Sequence, residues 1–169
     1  MKKKYTIFTS VFFSVFLIVA GCGNEPTEHS ESKENAHSVD QQHKGDIHEE
    51  TKSADDMPQF LDGKPEDLTA IYAEAAKYQD LLEHIPCYCG CSESAGHRDN
   101  YDCFIHENKK NGAIVWDDHG TRCDVCVVTA AESINQFNEG KSMKEIRQYI
   151  DDKYKKGFPE PTPTPVPEA

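Results

Sequence analysis

Six of the seven cysteines fall within residues 87–126: Cys87, Cys89, Cys91, Cys103, Cys123 and Cys126. The first three alternate along the chain. On an extended segment their side chains would project to one side, roughly 6.5–7 Å apart. Gly90 permits the tighter curl that would bring the sulfurs together. Cys123 and Cys126 are three residues apart where a helix is expected to begin, so they share a face. A helix N-terminus favours anions and should lower both thiol pKa values. His97, His106 and His119 supply imidazoles in the same stretch. Thiolates with nearby imidazole select soft or borderline ions, Cu(I) or Zn(II). Cys87, Cys89, Cys91, Cys103, Cys123, Cys126, His97 and His119 are therefore candidate ligands, with His106 read as a surface residue. Six thiols exceed the four ligands of one tetrahedral zinc. The excess points to a multi-copper thiolate cluster, or to a mixture of ligands and bridges.

Two other chemistries suit the same residues. Six is an even count, and small exported domains use disulfides to supplement thin cores. Six cysteines allow 15 pairings, among which sequence does not choose. Three cysteines in five residues are dense for such a framework. Cys123-Asp-Val-Cys126 could instead exchange thiol and disulfide, although the strand–helix–strand scaffold of thioredoxins is not visible in the pattern. No Ser–His–Asp set, phosphate loop or spaced acid pair stands out. A binding or delivery module fits better than an enzyme.

The elements that must position these groups read as helices. Pro65 suits a first helical turn, and Leu68, Ile71, Tyr72, Ala75, Leu82 and Ile85 recur at mainly helical spacing up to Pro86. A helix is expected over 65–84. A second is expected over 121–138, with Val125, Val128, Ala131, Ile134 and Phe137 on one face and Gly140 at its end. Ser142-Met-Lys-Glu145 is a capping box opening a third. Between the first two lie some 35 residues without a long period, in which Ala113–Trp116 could form one short strand. The expected fold is a small, mainly α domain of about three helices, with a long cysteine-rich loop between the first two. Trp116 is expected as a core anchor, and Asp117 and Asp118 as turn carboxylates.

The ends have a different character. Lys2–Lys4 precede an uncharged, largely apolar run that finishes Val19-Ala20-Gly21-Cys22. A basic start, a short apolar run and small residues before a cut describe a secretory signal. The cysteine makes it resemble the lipobox of bacterial lipoproteins, with residues 1–21 as signal peptide and Cys22 as the lipidated N-terminus. An uncleaved membrane helix is the competing reading, weakened by polar Thr6, Thr9 and Ser10. Residues 22–57 lack aromatics and are rich in acids, Ser and Gln, with His29, His37, His43 and His48 among them. Such a composition does not offset chain entropy and reads as a disordered acidic tether. Residues 159–169 carry Pro at alternate positions and read as an extended tail. That leaves a domain over 58–158. The chain has 169 residues, 37% of them hydrophobic, and a formal charge of −12. The acidic balance argues against a nucleic-acid partner, which requires clustered Lys and Arg.

Pro86-Cys-Tyr-Cys-Gly-Cys91 resembles the signature of the PCYCGC-motif family found among lipoproteins of Bacillus-type bacteria. The likeness extends over about 65–150 and includes Gly96-His97, Asp102-Cys103-Phe104, His119 and Cys123-Asp-Val-Cys126. It implies lipoprotein status and one small domain, but assigns no reaction. The combined expectation is a palmitate-type anchor on the extracytoplasmic face of the cell membrane. The domain there would bind copper or zinc for delivery or sequestration, with a copper-handling or oxidase-assembly protein as partner. The oligomeric state is left open.

Overall fold

The structure, a computed structural model, describes residues 45–168. The signal peptide, Cys22 and the tether through residue 44 lie outside them. In chain order the elements are β1 (His48–Thr51), α1 (Glu66–Ala75), α2 (Gln79–Leu82), α3 (Ser92–Ala95), β2 (Ile105–Asn108), β3 (Ile114–Asp117), α4 (Asp124–Asn138) and α5 (Met143–Tyr154). Short 3₁₀ turns occupy Gln59–Leu61, Tyr101–Cys103 and Asp118–Thr121.

The mainly α, three-helix expectation is overturned. The fold is mixed, with a three-stranded antiparallel sheet in the order β1-β3-β2. β3, the expected short strand, is the centre, and both of its edges bond to segments without a strand signature. Glu49 and Glu50 of β1 face Trp116 and Val115, while Ile105 and Glu107 of β2 face the same two residues. The ladder skips His106, the extra residue of a bulge. A four-residue strand such as His-Glu-Glu-Thr has too few apolar positions to show a period. It forms because β3 satisfies its backbone groups. Residues 45–57 are thus part of the fold rather than of a disordered tether. The loop between the first two helices likewise contains α3, β2 and β3.

The expected first helix is broken. α1 stops at Ala75, Tyr78 leaves helical geometry (φ −112°, ψ 39°), and α2 begins one residue later. On a straight helix Leu81 would lie about 120° from Ala75. The break lets Ala75, Leu81, Leu82 and Ile85 all enter the core. The capping box of α5 forms in full: Glu145 N–H donates to Ser142 Oγ, and Ser142 N–H to Glu145 Oε2.

Trp116 is fully buried with Tyr72, Phe104, Ile146 and Ile150, and its indole N–H donates to Thr51 Oγ1 at 2.8 Å. Tyr72 donates to the carbonyl of Asp117 at 2.9 Å, tying α1 to the end of β3. Gly120 sits under this contact. A Cβ there would lie 2.7 Å from the Phe104 ring and 2.9 Å from the Tyr72 hydroxyl.

The Pro-rich tail is not a free spacer either. Thr162 is buried, its N–H donates to the carbonyl of Cys87 (3.1 Å), and its hydroxyl accepts from the N–H of Cys87 (2.8 Å). Arg147 of α5 donates to Thr164 Oγ1 and the carbonyl of Pro165. Alternating prolines leave every second residue free to hydrogen-bond, and Thr162 and Thr164 do so.

Two stability measurements check this packing by denaturant unfolding. Gly120→Ala should cost about 1–3 kcal/mol, because neither aromatic neighbour can retreat within a filled core. Thr162→Val keeps shape but strands the buried N–H of Cys87, and should cost about 1–3 kcal/mol.

Candidate metal centre

The six cysteines of the domain are free thiols and converge from three segments. The motif Pro86–Cys91 curls through Gly90, which has φ +76° and lies against Pro159 of the tail. Cys87 Sγ and Cys89 Sγ come to 3.0 Å. Cys103 arrives on the 3₁₀ turn before β2 and is fully buried. Cys123 and Cys126 are presented by the start of α4, Cys123 as the residue before its first turn. Asn100 Nδ2 secures this end by donating to the carbonyl of Cys126 at 3.2 Å.

Two groups of ligand atoms result, each within 4.8 Å of one another: Cys89, His119, Cys123 and Cys126, and Cys87, Cys103 and Cys126. Cys126 belongs to both. A third grouping brings His97 beside Cys103 and His119. Cys91 belongs to none of these groups. It lines an open cleft of about 590 Å³ with Asp46, Cys89, His119, Arg122 and Cys123. His106 stays exposed, as expected, and stacks on His48 with ring centroids 3.8 Å apart.

His119 stands between thiols and carboxylate. Its Nε2 is 3.7 Å from Cys89 Sγ, and its Nδ1 is 3.2 Å from Asp46 Oδ1. A carboxylate on one ring nitrogen fixes the ring and raises the basicity of the other, as found behind metal-ligating histidines. The 3₁₀ turn Asp118–Thr121 sets this position. Asp117 caps the turn by accepting from the N–H of His119 at 2.8 Å. Arg122 joins Asp46 and Asp118 across the same turn.

The electrostatics follow from the crowding. The nearby thiols of Cys123 and then Cys126 lower the Cys89 thiol to about 4. Cys87 is also lowered, chiefly by Cys103 and then Cys126. The cost appears on Cys126 and Cys103. Cys126 is raised by its contacts with Cys103, Cys123, Cys87 and Cys89, against the lowering expected from a helix start. Near-neighbour sulfurs outweigh the helix end because several thiolates in one place repel. Cys103 is raised because its contact with Cys87 and full burial exceed the lowering by Cys126. Cys91 is raised by burial and by its contact with Cys89. His119 is raised to about 11 by Cys123 and Cys89, with Asp46 adding to the effect. The metal-free cluster therefore holds thiolate and imidazolium side by side. It is a clustered Cys/His region that could hold a metal ion.

Sequence reasoning located the thiols and His119 but missed Asp46, Asp117 and Arg122. Asp117 is a turn carboxylate, as expected, and it is also almost fully buried among His48, His97 and the N–H of His119. Its place two residues before His119 and six before Cys123 was the available signal. Asp46 had none, because its role depends on β1 pairing with a strand far along the chain.

No curated protein matches the chain, and no solved structure does. One family model matches residues 11–167, described as a protein of unknown function with PCYCGC motif. The motif carries Cys87, Cys89 and Cys91, two of which enter the groups above, and the match runs on into the tail that clasps Cys87. The chain belongs to the PCYCGC-motif family.

Proposed function

We propose that the protein is a lipoprotein of the extracytoplasmic membrane face, anchored through Cys22, whose domain binds a soft metal ion, Cu(I) before Zn(II). The observation that carries the metal reading is the sharing of Cys126 between two ligand groups. A thiolate common to two groups favours a polynuclear cluster, the arrangement suited to Cu(I), over a single closed zinc site with four ligands. Cys91, which lines the cleft beside Cys89 and Cys123, would receive or pass on an ion. The role is delivery or sequestration, with a copper-handling or oxidase-assembly protein as partner. Acyl chains contribute roughly 0.8 kcal/mol per buried methylene, so more than one gives stable anchoring.

The 3.0 Å approach of Cys87 and Cys89 sulfurs favours a second reading, in which cysteines pair as disulfides. One experiment separates the two. The full chain is purified anaerobically in detergent, and its metal content and free thiols are measured. The metal reading expects free thiols and more than one Cu(I) per chain, with Cys126→Ser lowering the stoichiometry most and Cys91→Ser least. Metal-free protein with no free thiol before reduction overturns it. Fractionation tests the anchor: Cys22→Ala should move the protein from the membrane to the soluble fraction.

The pH dependence has a definite sign. An ion bound at His119 displaces a proton that the ring otherwise keeps up to about pH 11, and one bound at Cys126 displaces a thiol proton. Affinity should weaken as pH falls, by about tenfold per pH unit for each proton displaced. Competition titrations between pH 6 and 8 read that slope, and a flat profile would argue against these two ligands.

A further inference from the structure

Beside the thiols lies a group of nitrogen and oxygen atoms at ion-pair distance, several of which make no hydrogen bond among the described residues. His97 Nε2 is 3.3 Å from Asp46 Oδ2 and 3.4 Å from Asp117 Oδ2. The three side chains are 4%, 9% and 1% exposed. Despite these distances, both nitrogens of His97 and Oδ2 of Asp46 lack a hydrogen-bond partner among the described residues. Buried polar atoms are seldom left so. Asp46 is held by its other oxygen, on which His119 Nδ1 (3.2 Å) and Arg122 Nη2 (2.5 Å) converge. Its Oδ2 is thereby left free beside His97. Asp117 is fixed too: His48 Nε2 lies 2.8 Å from its Oδ2, and its Oδ1 accepts from the N–H of His119.

The two distances at His97 match edges of a metal's coordination shell. With bonds of about 2.0–2.1 Å to nitrogen and oxygen, the edges of a tetrahedron are about 3.3–3.4 Å. Asp46, His97 and Asp117 each offer one atom, all within 4.8 Å of one another. Two carboxylates balance a divalent charge. One imidazole with two carboxylates is a harder donor set than the neighbouring thiolates, so it selects a different ion. We infer that Asp46 Oδ2, His97 Nε2 and Asp117 Oδ2 form a second metal site, adjoining the thiolate cluster but with a different donor set, for a divalent cation of the zinc class with a fourth position left for water or a ligand. His119 joins the two sites, its Nδ1 on the Asp46 side and its Nε2 on the Cys89 side.

Co(II) is the probe, because its absorption distinguishes thiolate from nitrogen and oxygen ligands. The full chain, reduced and metal-free in detergent, is titrated anaerobically. The expected result includes one equivalent that shows ligand-field bands without thiolate-to-cobalt charge transfer. His97→Phe keeps the ring's bulk but removes the ion pairs with Asp46 and Asp117, so the fold of the variant is checked. It should abolish that equivalent and leave the charge-transfer band, whereas Cys123→Ser should weaken the band and spare the equivalent. Far-UV circular dichroism verifies the fold of each variant, and His97→Gln is a second substitution free of the aromatic ring. Unchanged Co(II) stoichiometry in folded His97 variants overturns the site, as does wild-type protein with no thiolate-free equivalent. Loss of the charge-transfer band alone would overturn the soft-metal reading and leave this second site standing.

Discussion

The arrangement depends on keeping the Asp117 carboxylate charged inside the protein. A buried carboxylate is costly unless hydrogen bonds and opposite charge surround it. Here burial alone would raise its pKa, but His97, the N–H of His119 and His48 together bring it below the usual value. His97 responds in kind: burial opposes its charge, and Asp117 more than restores it. The same residue ends β3, caps the turn that delivers His119, and gives its carbonyl to Tyr72. One residue, through its backbone and its carboxylate, thus links the sheet, helix α1 and the cluster.

From that point the organisation is a gradient of donor softness. Sulfur gathers at the motif and the start of α4, oxygen gathers at Asp46 and Asp117, and imidazole lies between. The T-shaped pair of His97 and His119, with ring centroids 4.7 Å apart, marks the boundary. A domain with one kind of donor would compete for one kind of ion. A graded one can separate ions of different softness over a few ångströms.

What could be read from the chain was local. The capping box of Ser142 and Glu145 and the start of α4 near Cys123 rest on short-range spacing, and each is present. What could not be read depended on distant partners. β1 is a strand because β3 lies beside it, so its acidic composition misled. Leu81 was no guide to the break after α1, because the core it enters is completed by other segments. Thr162 and Thr164 look like spacers between prolines until Cys87 and Arg147 are placed beside them.

The clasp on the cysteine motif also has a kinetic meaning. His48 meets Asp117 across 69 positions, and Cys87 meets Thr162 across 75. Contacts of such separation make for slow folding, since long loops must close before they are rewarded. A chain emerging N-terminus first therefore exposes all six thiols before the segment that covers Cys87 is available. The interval between emergence and closure is when oxidation or a scavenged ion would trap the wrong connections. Timely supply of the right ion, or of reductant, would then matter as much to reaching this fold as the final contacts do to keeping it.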